Sequence, residues 1–409
     1  MLLNVLDTGS TGFMLLATSL VMLMTPGLAF FYGGLASKRN ILAIMIQSFF
    51  SLGWTTVLWF AFGYSLCFSG GEGGIFGNFD KIFLNGVSID TMYSNGKIPE
   101  IVFVAYQMMF AIITPALITG AFVNRVTFKS YILFLTIWQI FVYYPFVHMI
   151  WGGGLLAQWG VLDFAGGIVV HATAGFAALA SVFYVGARTD KNSTPNSIPL
   201  VAIGSGLLWF GWYGFNAGSE VAVDNITAIA FLNTDVAASF ATISWVVIEW
   251  IRDRKPKFVG LLTGSIAGLA TITPCAGFVP LWAAAVIGTL AGLVCYFAVQ
   301  WKNKMKWDDA LDVWGVHGVG GFIGTILLGI FASKAINSAG ADGLYYGGMG
   351  FFAKQVIAVL IASAYAFIFT YVMLIIINYI TPVRVSEENE QLGLDHSIHG
   401  EKAYDEGVL

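Results

Sequence analysis

The sequence predicts an all-α polytopic membrane protein: eleven transmembrane helices, arranged as two inverted five-helix repeats plus a long tilted eleventh helix. Three observations carry this prediction. Of 409 residues, 57% are hydrophobic and 10% charged, and the mean hydropathy of +0.78 lies outside the range of soluble globular domains. Long apolar stretches recur from one end to the other, with no soluble segment of domain size between them. Basic residues gather in alternate loops.

Those clusters are Lys38 and Arg39, Arg125 and Lys129, Arg188 and Lys191, Arg252 to Lys257, Lys302 to Lys306, and Arg384 onward. The intervening loops, among them "WGGGLLAQWGVLD", "NAGSEVAVDN", "TPCAGFVP" and "SAGADGLYYGGMG", are nearly free of Lys and Arg. By the positive-inside rule the first set is cytoplasmic and the second external. This gives about eleven crossings of roughly 20 apolar residues each, with the N-terminus outside, the C-terminus cytoplasmic, and the plasma membrane as location.

The opening "MLLNVLDTGSTGF" has neither a positive n-region nor a small-residue cleavage site, so no cleaved signal is read and the first helix starts near Gly9. Cys67, Cys275 and Cys295 show no CxxC spacing and no even count, so neither a metal cluster nor a disulfide framework is expected. The last span, about Gly350 to Ile380, is too long to stand upright in the bilayer and should tilt across the others as a brace. Residues 1–381 form the membrane domain and 382–409 a polar tail.

Ten helices before the brace divide into two sets of five, and an odd number per half requires the halves to face opposite ways. Position supports this: His171 falls in the fifth span and His317 in the tenth, each after an acidic residue, Asp163 and Asp312. The two spacings differ by three residues. Glycine-rich runs such as "GGIVVHATAG" and "GVHGVGGFIG" put small residues at helical spacing, which lets membrane helices approach closely.

No Lys or Arg is read deep in the membrane, Lys354 lying near an external end, and no midplane carboxylate is read either. A retinal Schiff base and a carrier that pairs its ion are thereby disfavoured. The Asn-Pro-Ala pair of a water channel and a potassium filter are missing, and "AIGSG" carries Ile203 where a rhomboid-like protease needs glycine. No nucleophile, base and orienter can be paired, so no enzyme is predicted. No cofactor and no nucleic-acid partner is expected. What remains is the two histidines, whose neutral rings offer one donor and one acceptor each and suit a small polar neutral molecule or a proton relay. A bis-histidine membrane haem protein is the rival from another class.

The motif Asp163-Phe164-Ala165-Gly166-Gly167, with Val170, Ala174, Gly175, Ala178, Gly186 and Arg188 after it, resembles the signature of the Amt/Mep/Rh ammonium transporter family. "TPGLAFFYGGL", "WGGGLLA", "GWYGFNAGSE", "LDVWGVHGVGG" and "GLDHSIHGEKAY" resemble further family segments in the family's order. The resemblance implies eleven helices, a homotrimer with one path per protomer, and ammonium or ammonia transport across the lipid bilayer. It assigns His171 and His317 to the pore lining, Phe110 and Phe215 to a stacked phenyl gate, Trp151 and Ser219 to an external recruitment site, and Asp163 to the shaping of that vestibule. Tyr106 departs from the family's usual phenylalanine beside Gln107, placing an extra hydroxyl in the recruitment pocket. The tail is similar to segments that dock on the cytoplasmic face and answer to PII-type signalling proteins, with Ser397 where plant relatives carry a phosphorylatable threonine. An ammonium sensor on the same scaffold is the alternative, against which stands the lack of a signalling domain after Leu409.

Overall fold

The computed structural model describes residues 6–94, 96–189 and 194–404. Lys191 of the expected basic loop and the last five residues of the tail lie outside them. Among the described residues the chain is all helix, with only isolated bridges between extended residues.

Ten helices are long and apolar enough to cross a bilayer: α1 (Thr8–Leu35), α2 (Ile41–Phe68), α3 (Glu100–Ala121), α4 (Phe128–Trp159), α5 (Gly167–Val185), α6 (Ile198–Glu220), α7 (Asn225–Asp253), α9 (Leu281–Lys304), α10 (Trp314–Phe331) and α11 (Met349–Ile380). Between α7 and α9 stands a shorter apolar helix, α8 (Phe258–Ile272). At ~1.5 Å per residue it rises about 22 Å, and the buried turn from Thr273 to Val279 continues it. It fills the eighth place in the order. α1 begins one residue before the expected Gly9, capped by the Asp7 carboxylate on the Ser10 N–H.

Matching helices of the two halves meet as antiparallel pairs. α1 lies along α6, where a Cβ on Gly34 would stand 2.6 Å from Ser197 O and one on Gly204 would stand 2.3 Å from Phe31 N. α5 and α10 cross more closely still: a Cβ on Gly175 would fall 2.1 Å from Gly318 Cα, and one on Gly321 would fall 2.7 Å from His171 Cβ. Gly175 is four residues after His171 and Gly321 four after His317. Each therefore sits against the residue at or just after the other helix's histidine, the reciprocal contact that a two-fold axis between the histidines generates.

α11 covers both halves. It packs on α5 and α10 and also touches α4, which is the bracing position its length foretold. At one face, called here the tail face, the chain after α11 lies back on the bundle: Val385 N–H donates to Arg125 O, and the Asp395 carboxylate accepts from Leu42 and Ala43 N–H at the start of α2. The short helices α12 (Glu387–Leu392) and α13 (Leu394–Ser397) hold this return.

One expectation about the interior is corrected. A carboxylate does stand deep in a span: Asp235, in the middle part of α7, takes hydrogen bonds from the Trp209 indole and the Tyr213 hydroxyl of α6. A charged residue flanked by apolar neighbours does not break a hydropathy window, and its partners are more than twenty positions away in sequence.

The α5/α10 crossing tolerates no side chain. Gly175→Leu should lower the thermal midpoint of the detergent-solubilised protein, by about 1–3 kcal/mol of overpacking or more, and abolish uptake. Gly206→Leu, at a glycine with open space around it, should leave both unchanged.

Candidate functional site

Both histidines lie in wide π-helical turns that open their helices, Gly167–Ala172 in α5 and Trp314–Gly318 in α10. Such turns free backbone groups and recur at functional sites. What starts each turn is a buried aspartate. The Asp163 carboxylate accepts from four N–H groups, those of Gly166, Gly167, Ile168 and Val169, at 2.7–3.1 Å. In the second half the same part is played by Asp309, which accepts from Val313 and Trp314 N–H at 3.1 and 2.8 Å.

Asp312, expected as the counterpart of Asp163, is instead bound to the Lys302 ammonium at 2.5 Å. With Asp309 in its place the discrepancy in spacing vanishes: each histidine follows its capping aspartate by eight residues. The sequence offers three aspartates close together at 308, 309 and 312, and only the fold shows which of them turns inward.

The rings themselves are nearly parallel, 5.3 Å apart at 17°, with His171 Nδ1 and His317 Nδ1 separated by 3.3 Å. One of these nitrogens must carry the hydrogen and the other accept it. In either tautomer the outer Nε2 atoms are then complementary, one a donor and one an acceptor. Among the described residues His171 Nε2 has no hydrogen-bond partner. Around the pair runs a narrow cavity walled by Leu28, Ile113, Leu117, Leu208, Trp212 and Ile266, with no charged side chain in its wall among the described residues.

Towards the opposite face from the tail, aromatic rings close this cavity. Phe215 stands 6.1 Å from His171, and its ring stacks on that of Phe110 at 4.2 Å and 30°. Trp151 meets Phe110 edge-on at 5.8 Å, its indole N–H donating to Asp163 O at 2.8 Å. The carboxylate that opens the π turn and the carbonyl that fixes the indole thus belong to one residue. Tyr106 is fully buried, its hydroxyl 2.9 Å from the Gly214 and Phe215 carbonyls and 3.3 Å from Ser219 Oγ. Ser219 in turn donates to Phe215 O at 2.9 Å. Trp151, Ser219, Tyr106, Phe110, Phe215, His171, His317 and Asp163 are therefore one contiguous set, whereas Ser397 lies apart on the tail face, its hydroxyl donating to Asn389 O at 3.1 Å.

Below the histidines a wider vestibule opens, sharing Phe31, Tyr32, Ile266 and His317 with the narrow cavity. Its rim is tied by ion pairs. Asp308 receives the Arg188 guanidinium at 2.7 Å and lies 3.6 Å from that of Arg125. Burial works against its charge, but the Arg188 hydrogen bonds and the Arg125 charge prevail and bring its pKa down to about 2. Its stabilising contribution is complete above the ordinary aspartate value of ~3.9 and is lost only as pH falls through about 2.

Sequence reasoning missed Asp309 and Asp235, and also His148. That ring is fully buried in α4, each nitrogen 2.9 Å from a carbonyl, Cys67 O on one side and Gly71 O on the other. It ties the end of α2 to the glycine loop beside Trp151. The haem alternative does not survive the geometry, since two imidazoles in direct hydrogen-bond contact leave no gap for a macrocycle.

A bundle of membrane-crossing helices, built from two inverted halves around a narrow uncharged passage, defines a polytopic membrane transporter. The profile of the Ammonium Transporter Family matches residues 12–404. The ammonium transporter of Bacillus subtilis is 43% identical over 405 residues, covering 98% of this chain and 100% of that protein. Ammonium transporter Amt1 of Archaeoglobus fulgidus is 43% identical over 402 residues, with 98% and 100% covered. The crystal structure of Saccharomyces cerevisiae Mep2 superposes with a TM-score of 0.90 at 34% identity, covering 98% of this chain and 93% of that one. A sensor Amt protein superposes with a TM-score of 0.87 at 28% identity, covering 94% and 97%. The chain belongs to the ammonium transporter family, and it transports ammonium across a membrane.

The two capping aspartates serve different numbers of donors, and buried donors left unpaired cost about 1–3 kcal/mol each. Asp163→Ala should therefore lower the thermal midpoint more than Asp309→Ala, read by unfolding of the purified protein. Equal shifts would mean that the backbone groups find other partners.

Proposed function

We propose that ammonium is recruited at the plasma membrane's outer face by Trp151 and Ser219, gives its proton to solvent water at the Phe110/Phe215 gate, and crosses as ammonia along His171 and His317. The observation that carries this is the passage itself: an uncharged slot closed by stacked phenyl rings on one side and lined by two hydrogen-bonded imidazoles. Moving a bare cation into such a medium costs on the order of tens of kcal/mol by Born solvation, whereas ammonia enters uncharged and finds a donor and an acceptor at the paired rings. Potassium, with no proton to lose, is refused by the same arithmetic.

Trp151 supplies an aromatic face to the cation, worth roughly 0.5–2 kcal/mol, and Ser219 a hydroxyl oxygen. Tyr106 holds the Ser219 end of this pocket through the carbonyls it binds. Asp163 shapes the vestibule through the backbone and does not touch substrate, since both its oxygens are occupied by N–H groups. In this reading the N-terminus is outside and the tail face cytoplasmic, in keeping with the basic loops there. The functional unit is a homotrimer with one path per protomer. Residues 382–409 form a regulatory tail on which a PII-type protein acts, and Ser397 is its modification site.

The test is electrical. In liposomes, pulses of ammonium should produce a current or an internal pH change that potassium does not. Replacing both His171 and His317 by Leu should slow ammonium passage by about ten-fold or more, the effect of one lost hydrogen bond in the barrier, or admit potassium. Ammonium-specific uptake unchanged in the double variant would remove both histidines from the mechanism.

A further inference from the structure

Beside Trp151, on the face opposite the tail, lies a cleft of about 520 Å³ that the proposed passage does not use. Tyr64, Lys81, Tyr93 and Glu100 line it together with Trp151 and Gly152, so it adjoins the ring to which recruitment is assigned. Glu100 opens α3 directly after Pro99, its N–H donating to Thr91 O at 2.8 Å, and it is only 5% exposed. The Tyr64 hydroxyl donates to Glu100 Oε1 at 2.6 Å, and the Lys81 ammonium donates to the same oxygen. Among the described residues nothing donates to Oε2.

The Lys81 nitrogen also stands 5.8 Å from the centre of the Tyr64 ring, within the reach of cation–π attraction. Its side chain keeps 29% of its surface exposed, so the head is held at the cleft and not sealed beneath it. A lysine head is an ammonium ion with one hydrogen replaced by carbon: the same charge, and three N–H donors in place of four. Where it finds a carboxylate and an aromatic face together, a free ammonium ion finds the same partners. A nearly buried carboxylate left without a cation is costly, so whatever displaces Lys81 must bring a positive charge, as ammonium does. The segment carrying Lys81 is also under strain. Phe83 and Leu84 hold φ of +52° and +57°, left-handed values that bulky side chains adopt only at a cost, and release of Lys81 lets that turn relax.

We propose that this cleft is a second cation site, taking ammonium or methylammonium ahead of the Trp151/Ser219 pair, and that Lys81 is a competitor tethered in it. The proposal rests on the recruitment reading above, since Trp151 borders both sites. Tethering gives the lysine head an effective concentration on the order of millimolar, so free ammonium enters the cleft only when it is abundant outside.

The experiment measures methylammonium uptake against concentration in liposomes, and the thermal midpoint of the purified protein in ammonium chloride against equal sodium chloride. Lys81→Gln and Lys81→Met, both made so that the result does not hang on one variant folding, should lower the half-saturating concentration about five-fold, the order of an ion pair at the edge of solvent. The maximal rate should not rise, and ammonium should protect these variants from heat more than it protects the unaltered protein. Lys81→Arg, which refills the cleft with a cation, should show neither gain, and adding Glu100→Gln to Lys81→Gln should cancel both. Half-saturation unchanged in the two Lys81 variants, with uptake intact, would overturn the proposal and leave the recruitment reading standing. A gain that survives Glu100→Gln would overturn it too, because the carboxylate would then hold no cation. Lower midpoints in the Lys81 variants without ammonium-specific protection would make the ion pair a brace for the loop, again overturning it. An unaltered protein that takes up neither ammonium nor methylammonium would overturn both readings together.

Discussion

The closest contact between α5 and α10 governs the rest of the molecule. With Gly175 against Gly318 and Gly321 against the His171 turn, the two backbones approach to a distance that any side chain would forbid. At that separation the two imidazoles, on different helices, stand with their Nδ1 atoms 3.3 Å apart. The π turns that carry them, and the aspartates that open those turns, make sense as ways to hold two rings in register at this crossing. In a membrane, where apolar side chains gain little by leaving lipid, such close packing of small residues is what brings helices together.

Around this crossing the polar groups are distributed with economy. Aspartates 163 and 309 are buried, but their oxygens are spent on backbone N–H groups, so they fix geometry without placing charge in the passage. The ion pairs of Arg125, Arg188 and Asp308 stay at the rim of the lower vestibule. Between aromatic plug and vestibule the wall is apolar and aromatic side chains with the two imidazoles, the Tyr32 hydroxyl and Trp212 indole N–H being spent on Leu117 O and Thr273. A passage of that kind offers no shell of oxygens to replace the hydration of an ion.

Much of this was legible in the sequence, for physical reasons. Hydropathy and loop charge report how long each segment spends in lipid, so the over-long last helix and most spans could be read, with ten long apolar helices and one shorter one where eleven crossings were expected. The placement of His171 and His317 in matching helices also followed from counting. What could not be read was which polar group points where. Asp308, Asp309 and Asp312 are alike as letters, yet one binds Arg188, one caps α10 and one pairs with Lys302. Asp235 stands alone among apolar letters, and the indole and hydroxyl that donate to it come from another helix. Tyr106 was expected to alter the outer pocket by adding a hydroxyl; the fold shows that hydroxyl turned onto carbonyls of α6 and towards Ser219.

The reciprocal spacing of aspartate, histidine and glycine along α5 and α10 has a consequence for directionality. The histidine pair lies about an axis that interchanges the two halves, so a molecule moving along the joined rings meets an imidazole edge first whichever way it came. Nothing at that point can act as a ratchet. Any preference for inward over outward movement has to arise at the ends, in the aromatic plug on one side and the tail-bearing vestibule on the other, or in the gradients of solute and proton that the membrane sustains.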